Sequence, residues 1–221
     1  MPAGVVVPEA CLARVGELLA QGAPRVLLGL VGAPGAGKST LAAALQAAFA
    51  DVAAVVPMDG FHLANSELRR LGRAARKGAP DTFDAAGYLA LLQRLRDPAS
   101  GGHTVYAPEF RREIEEAIAG ALAIEPHHRL VIAEGNYLLL DQGPWRAVAP
   151  LLDECWFVEA DETLRNDRLA QRHEQFGRSR QEALQWVAQT DAPNALLIGA
   201  TRGRAQRVFR WNDGSLSAPA A

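Results

Sequence analysis

The sequence predicts one α/β domain with a mainly parallel β-sheet flanked by helices. Short apolar runs without polar alternation recur along the chain, and such runs are typical of strands buried on both faces. Segments with helical character separate these runs, and no internal repeat or long linker interrupts them. The chain has 221 residues, of which 49% are hydrophobic, so it is long enough to bury its own core.

The first half of the chain alternates between predicted helices and strands. In order, these are a helix over 9–22, a strand over 25–32, a helix over 38–50, a strand over 52–59 and a helix over 84–97. The first helix is amphipathic and ends at Gly22, and the second, over 38–50, is made of strong helix formers. Asp84 is a candidate N-cap for the last helix, which Pro98 closes.

The second half continues the alternation after a less regular stretch over 99–128. Its predicted elements are strands over 129–135 and 154–160, helices at about 161–175 and 179–189, and a strand over 206–211. We expect one domain over 1–211 and a disordered tail over 212–221.

Charge and composition exclude several classes of function. A net charge of −2 argues against a general nucleic-acid-binding protein. Cys11 and Cys155 are far apart and match no metal or disulfide spacing, which fits a reducing compartment. The N-terminus lacks the cationic start of a signal peptide, and the longest apolar stretches are too short to span a membrane. We therefore expect a cytoplasmic protein that binds neither nucleic acid nor membranes.

The stretch 29-GLVGAPGAGKSTLAAAL-45 contains the pattern G-x-x-x-x-G-K-[ST] between a predicted strand and a predicted helix. Glycines let backbone N–H groups turn towards a phosphate, and the helix N-terminus adds a favourable dipole. A lysine and a hydroxyl complete the grip on the β- and γ-phosphates and on Mg²⁺. A chance match has odds of about 1%, so a nucleoside triphosphate site is favoured over a glycine turn. The predicted nucleotide-binding residues are Gly32, Ala33, Pro34, Gly35, Ala36, Gly37, Lys38, Ser39 and Thr40.

Two acids end predicted strands, and the carboxyl ends of parallel strands share one edge of the sheet. Asp59 could accept a hydroxyl proton during attack on the γ-phosphate, or it could cap the turn before Gly60. Glu134 follows four apolar residues, as in strands whose terminal acid binds Mg²⁺. It could instead hold the substrate or cap the strand end.

Several motifs in this order resemble the kinases grouped with uridine kinase, phosphoribulokinase and pantothenate kinase, and within them a bacterial branch described as fructose- or nucleoside-type kinases. The motifs are GAPGAGKST, MDGFHL, GAPDTFD, EGNYLLL, 168-RLAQRH-173 and 193-PNA-195. The resemblance covers about residues 25–208. It implies a P-loop kinase fold, with ATP and Mg²⁺ and transfer to an alcohol of a small molecule.

The resemblance also implies roles for individual residues. Lys38 and Ser39 become phosphate and Mg²⁺ ligands, Asp59 the base, and Glu134 a carboxylate near the metal or the acceptor. A lid at about 161–180 would bring an arginine over the transferring phosphate. Arg168 and Arg172 project from one helical face, and Arg172 is preferred because a guanidinium stabilises spread negative charge. The alternative is a solvated basic helix face.

The acceptor pocket of these kinases is formed by segments that carry further candidates. These are His62, Asp84, Tyr106, Arg112, Glu134 and Tyr137, although Asp84 could simply cap a helix and Tyr106 could pack in the core. Asn194 resembles the position that holds the adenine end, or it caps a helix. Arg111 stands where relatives tend to have aspartate, which would favour an anionic acceptor if that position touches it.

The predicted function is therefore an ATP-dependent phosphotransferase that acts on a hydroxyl of a sugar, nucleoside, pantothenate-like compound or phosphorylated sugar. The alternative is a nucleotide-gated regulatory GTPase or ATPase without an acceptor. The guanine-reading pattern N-K-x-D does not occur in the chain, and an assembly ATPase would need an interaction domain for which no length remains. Kinases that resemble this chain often dimerise, although the sequence does not fix the oligomeric state, so a homodimer is one alternative beside a monomer.

Overall fold

The computed structural model describes residues 7–97, 99, 102–212 and 215–217. The strands are β1 (Val26–Val31), β2 (Ala53–Pro57), β3 (Val105–Arg111), β4 (Glu116–Ile124), β5 (Leu130–Gly135), β6 (Glu154–Ala160), β7 (Arg207–Asn212) and β8 (Ser215–Ser217). The helices are α1 (Glu9–Ala20), α2 (Lys38–Ala48), α3 (Asn65–Arg70), α4 (Ala85–Arg96), α5 (Glu162–Gln175), α6 (Arg180–Trp186) and α7 (Ala192–Gly199). A π-helical turn, Val187–Asp191, joins α6 to α7.

A six-stranded sheet in the order β2-β5-β1-β6-β7-β8 forms the centre of the protein. Strands β2, β5, β1, β6 and β7 run parallel, and β8 pairs antiparallel with β7. Every residue of β1 and of β5 is buried, as expected from apolar runs without alternation. The parallel sheet confirms the predicted α/β class.

Two hydrophobic clusters cover the two faces of this sheet. Successive side chains of a strand point to opposite faces, so Leu27 lies in one cluster and Leu28 in the other. Buried residues of α4 join the first cluster, and buried residues of α1 and α2 join the second. Helices therefore cover the sheet on both sides, which leaves the strand ends as the place for a site.

The stretch over 99–128 is more regular than the sequence indicated, because it contains the antiparallel hairpin of β3 and β4. Most residues of β4 are exposed or half-buried, and its sequence EAIAGALAI has no aromatic residue and, beside two isoleucines, is mainly alanine, which is depleted in strands. The hairpin turn includes Glu115, which has a positive φ of 52°. The sequence signal for a strand was therefore weak.

Several predicted boundaries differ slightly from the observed ones. The strand predicted over 52–59 ends at Pro57, and Asp59 lies in the 3-10 turn Met58–Phe61 that follows. Within the predicted tail, Ser215–Ser217 form β8, and residues 213–214 and 218–221 lie outside the described residues. Among the helices that can be described, none is both long and apolar enough to cross a bilayer.

Candidate active site

A cavity of about 760 Å³ opens at the carboxyl ends of the parallel strands. The glycine loop after β1 forms one wall, and Asp59, beyond the end of β2, faces it together with Glu134 of β5. The β3–β4 hairpin and the lid helix α5 close the other sides. The chain thus brings its candidate phosphate loop, its two candidate acids and its candidate lid to one place.

The glycine loop has the conformation that its motif requires. Gly37 has a φ of +87°, and a Cβ built on it would lie 2.5 Å from Nε1 of Trp211. Pro34, Gly35 and Gly37 line the main cavity. Ala33 and Ala36 line a second, smaller cavity. Gly32 packs against the carbonyl of Val158. A side chain at either Gly37 or Gly32 would clash with the surrounding protein, so the glycines allow the close packing and the tight turn that a phosphate-binding loop needs.

Replacing Gly37 by alanine is expected to destabilise the protein more than replacing Gly22 does. Both glycines have positive φ values, so each substitution costs about 1–2 kcal/mol of backbone strain. Gly22 has open space around it, whereas a Cβ at Gly37 meets the buried Trp211 ring, which adds about 1–3 kcal/mol. Thermal unfolding of both variants measures the difference. Equal losses of stability would show that the Trp211 contact does not constrain residue 37.

Lys38 is buried at the start of α2. Its Nζ donates to the carbonyl of Ala33 (3.2 Å) and to Oδ1 of Asn136 (2.8 Å). Burial lowers the pKa of Lys38, and the negative charges of Glu134 and Asp59 oppose this. Asn136 was missed by the sequence reasoning, although it lies two residues after Glu134 in the motif EGNYLLL. The ammonium group is held inside the loop, where it can meet a phosphate.

The two candidate acids have pKa values shifted in opposite directions. Burial raises the pKa of Glu134, and Lys38 only partly opposes it. Burial also acts to raise the pKa of Asp59, but the positive charges of His62, Arg112 and Lys38 outweigh it, so the net pKa is lowered. Nη2 of Arg112 lies 3.1 Å from Oδ2 of Asp59. Opposite shifts in one site are typical of carboxylates with different roles.

Ser39 acts to lower the pKa of Glu134 and so partly opposes the effect of burial on that carboxyl group. Among the described residues, no group of three or more His, Cys, Asp or Glu side chains has the arrangement of a metal site. Mg²⁺ is usually held by one or two carboxylates together with substrate phosphates and water. The donors present therefore fit Mg²⁺ that arrives with a nucleotide.

Helix α5, the predicted lid, places both predicted arginines at the cavity, since Arg168 and Arg172 line it. Burial lowers the pKa of Arg172, and the neighbouring Arg112 adds to this effect. A third arginine, Arg165, was not predicted, although it lies one helical turn before Arg168. It is buried, and its Nη1 donates to the carbonyl of Pro34 (3.4 Å), so the start of the lid contacts the glycine loop.

Of the predicted acceptor residues, His62, Arg112 and Glu134 line the cavity. The His62 ring lies between Phe83 (4.0 Å between ring centroids) and Phe110 (4.7 Å). Burial lowers the pKa of His62, and Asp59 opposes this. The histidine is thus part of an aromatic wall beside the candidate base.

Three predicted acceptor residues do not line the cavity. Asp84 caps α4 by accepting the Gly87 N–H (2.8 Å), which is its alternative reading. Tyr106 is 59% exposed on β3, so it is neither in the pocket nor in the core. Tyr137 is buried, and its hydroxyl donates to the carbonyl of Gly78 (2.6 Å). Placement in the right segment did not determine the direction of these side chains.

Asn194 lines the cavity, but its contact is with the loop near the hairpin rather than with the glycine loop. Its Nδ2 donates to the carbonyl of Gly78 (3.4 Å). The adenine contact stays a prediction, since Asn194 shares the cavity with the glycine loop but contacts no residue of that loop through a side-chain hydrogen bond given by the described residues. Arg111 is 54% exposed, pairs with Glu109 (2.8 Å) and does not line the cavity. Its guanidinium is therefore not placed to contact an acceptor in the cavity.

The structure adds lining residues that sequence reasoning did not single out. They are mostly aromatic or cationic: Lys77, Phe110, His173, Arg178, Trp186 and Trp211, with Asn136 and Asp191. His173 Nε2 lies 2.9 Å from Oδ2 of Asp191, and Arg178 lies 3.7 Å from the centroid of the Trp186 ring. These contacts join α5, α6 and the π-helical turn into one wall.

Comparisons with known proteins agree with this geometry. A protein named "Putative uridine kinase" from Schizosaccharomyces pombe is 34% identical over 185 residues, which are 79% of this chain and 78% of that protein. A pantothenate kinase from Mycolicibacterium vanbaalenii is 32% identical over 139 residues, which are 61% of this chain and 43% of that enzyme.

A solved structure is similar over nearly the whole chain. The crystal structure of a "putative fructose transport system kinase" from Silicibacter sp. TM1040 has a TM-score of 0.82 and 37% identity, and the match covers 95% of this chain and 100% of that one. No protein-family model matches the chain.

Proposed function

This chain belongs to the P-loop small-molecule kinases that include uridine kinase and pantothenate kinase, and from that membership we propose that it transfers the γ-phosphate of ATP to an alcohol hydroxyl of a small molecule. The observation that carries the proposal is the position of Asp59. Its carboxylate, whose pKa is lowered, shares one cavity with the glycine loop and the lid arginines. A regulatory nucleotide switch has no need for a base in that place.

In the proposed reaction, the glycine loop and Lys38 hold the triphosphate. Ser39 and Glu134 would hold Mg²⁺, which would neutralise the negative charge that develops on the phosphates. Asp59 accepts the proton of the acceptor hydroxyl while the hydroxyl oxygen attacks the γ-phosphorus. The O–P bond to ADP breaks as the new O–P bond forms, and the ADP oxygen takes the bonding electron pair. Arg168 and Arg172 stabilise the charge on the transferring group.

The acceptor would bind on the side of Asp59 away from the glycine loop. Phe110 and His62 provide flat apolar surface there, and Lys77 and Arg112 provide cations near the Phe110 ring, at 5.0 Å and 5.7 Å from its centroid. Such a wall suits a compact polar molecule with one apolar face. Sugars, nucleosides, pantothenate-like compounds and phosphorylated sugars remain the classes to test.

A coupled ADP-release assay over these four acceptor classes tests the proposal. We expect ADP release with at least one class to exceed hydrolysis without acceptor, and phosphate to be found on the acceptor hydroxyl by mass spectrometry. The Lys38→Met variant measures the background of ADP release that contaminating kinases contribute. Tight ATP binding with no acceptor-dependent release from any class would favour the regulatory alternative instead.

A further inference from the structure

Trp211 has a buried hydrogen-bond donor for which the described part of the chain supplies no acceptor. The residue belongs to β7 and is 4% exposed, and its Nε1 has no partner among the described residues. Buried side-chain N–H groups are normally paired, because an unpaired one loses its hydration without compensation. An orphaned donor in a native fold therefore calls for a ligand or a functional reason.

Other tryptophans of the chain have partners. Nε1 of Trp145 donates to the carbonyl of Pro80 (3.3 Å), and Nε1 of Trp156 donates to Oε1 of Glu154 (2.7 Å). The Trp186 ring carries Arg178 on its face. Two buried indole N–H groups thus have an acceptor, whereas that of Trp211 has none among the described residues. The missing hydrogen bond is therefore a property of the position of Trp211.

That position is beside the glycine loop. Trp211 pairs with Ala160 of β6 near the carboxyl edge of the sheet, and it lines the same cavity as Lys38 and Ser39. The nearest atom to a Cβ built on Gly37 is Nε1 itself, at 2.5 Å. The indole N–H thus adds one more donor to a loop whose backbone amides are also donors, and acceptor atoms are what a bound nucleotide supplies.

We propose that Trp211 is a nucleotide-binding residue whose indole N–H donates a hydrogen bond to a phosphate, one that ADP and ATP share, of the nucleotide held by the glycine loop. The inference rests on the proposed function, because it needs a nucleotide in that loop. It goes further by assigning a contact from β7, a strand outside every motif of the loop and lid. Small adjustment of the loop around the ligand would expose the donor that Gly37 now covers.

The indole resonances of the full chain, labelled with ¹⁵N at tryptophan, provide the test. Trp211→Phe removes one indole cross-peak and so assigns it. On saturation with ADP, we expect the Trp211 indole proton to move downfield, as hydrogen bonding requires. The Trp156 peak is the internal control, since its donor is already bonded to Glu154.

Affinity gives a second readout. Trp211→Phe keeps an aromatic ring and loses only the donor and part of the ring system, so ADP affinity should fall about 10- to 150-fold, the usual worth of one hydrogen bond to a charged group. Without ligand, Trp211→Phe should lose less thermal stability than Trp156→Phe, because only the Trp156 donor is bonded in the ligand-free protein. Trp156→Phe should keep wild-type ADP affinity.

The outcomes separate this inference from the proposed function. Movement of the glycine-loop amides with a stationary Trp211 indole peak, or wild-type ADP affinity in Trp211→Phe, would overturn the inference and leave the proposed function intact. If ADP moved no resonance of the wild-type chain, both would be overturned.

Discussion

Replacing Asp59 by asparagine is expected to lower kcat about 10²- to 10⁴-fold, the usual contribution of a general base, while ATP affinity changes little. Asparagine matches the size of aspartate but cannot accept the hydroxyl proton. The carboxylate lies 3.1 Å from Arg112, and nearby positive charges lower its pKa, so the wild-type group is ionised at neutral pH. The substitution therefore removes the reactive form and leaves the loop in place.

Single-turnover transfer and ADP titration of the same preparation separate these two effects. Asp51→Asn is the matched control, because Asp51 is an exposed residue in the turn before β2. We expect that variant to retain kcat within about 2-fold, as surface substitutions usually do. Near-normal turnover in Asp59→Asn would exclude Asp59 as the base.

Replacing Lys38 by methionine is expected to lower kcat/KM for ATP about 10²- to 10³-fold or more, because a preorganised charge at the phosphates is lost. The same change should preserve or raise the stability of the ligand-free protein. Burial lowers the pKa of Lys38 below its ordinary value of 10.5, so the folded state holds this proton less favourably than the unfolded chain does. Below pH 10.5 the lysine charge therefore costs stability, and methionine removes that cost.

The sign of this effect fixes the pH dependence. The advantage of Lys38→Met should shrink as the pH rises towards 10.5, where the unfolded chain also loses the proton. Lys77→Met is the matched control, since Nζ of Lys77 donates to Oδ1 of Asn65 (2.9 Å) and to the carbonyl of Glu115 (2.6 Å). That variant should lose stability. Thermal unfolding at pH 7 and pH 10 measures both, and a clear loss in Lys38→Met would show that its hydrogen bonds outweigh its burial.

The parallel sheet was predictable because strands that are buried on both faces consist largely of consecutive apolar residues. β1 is an uninterrupted apolar run, and β5 begins with the four apolar residues that precede Glu134; such runs are typical of strands in parallel sheets. The hairpin left no such trace. β4 is mostly solvent-exposed and rich in alanine, so neither periodicity nor propensity distinguished it from a loop or a helix.

Within the site, the residues of the phosphate motif were predictable because phosphate chemistry dictates their types and spacing. Asn136, Arg165 and Trp211 reach the loop through pairing and packing of β5, α5 and β7, which no local pattern encodes. Tyr106 failed for a related reason. Alternation along β3 buries its neighbours Val105 and Ala107 and turns Tyr106 to solvent.

The strand order has a consequence for the synthesis of the protein. Strand β1 lies between β5 and β6, so Val26 finds its partner Leu130 only about a hundred residues later. At 5–20 residues per second, the ribosome needs on the order of 5–20 s for that interval. A nascent chain thus exposes the whole glycine motif well before the two strands that pair with β1 have been synthesised. During that time the apolar β1 depends on chaperones or on early collapse with α1 and α2 to avoid aggregation.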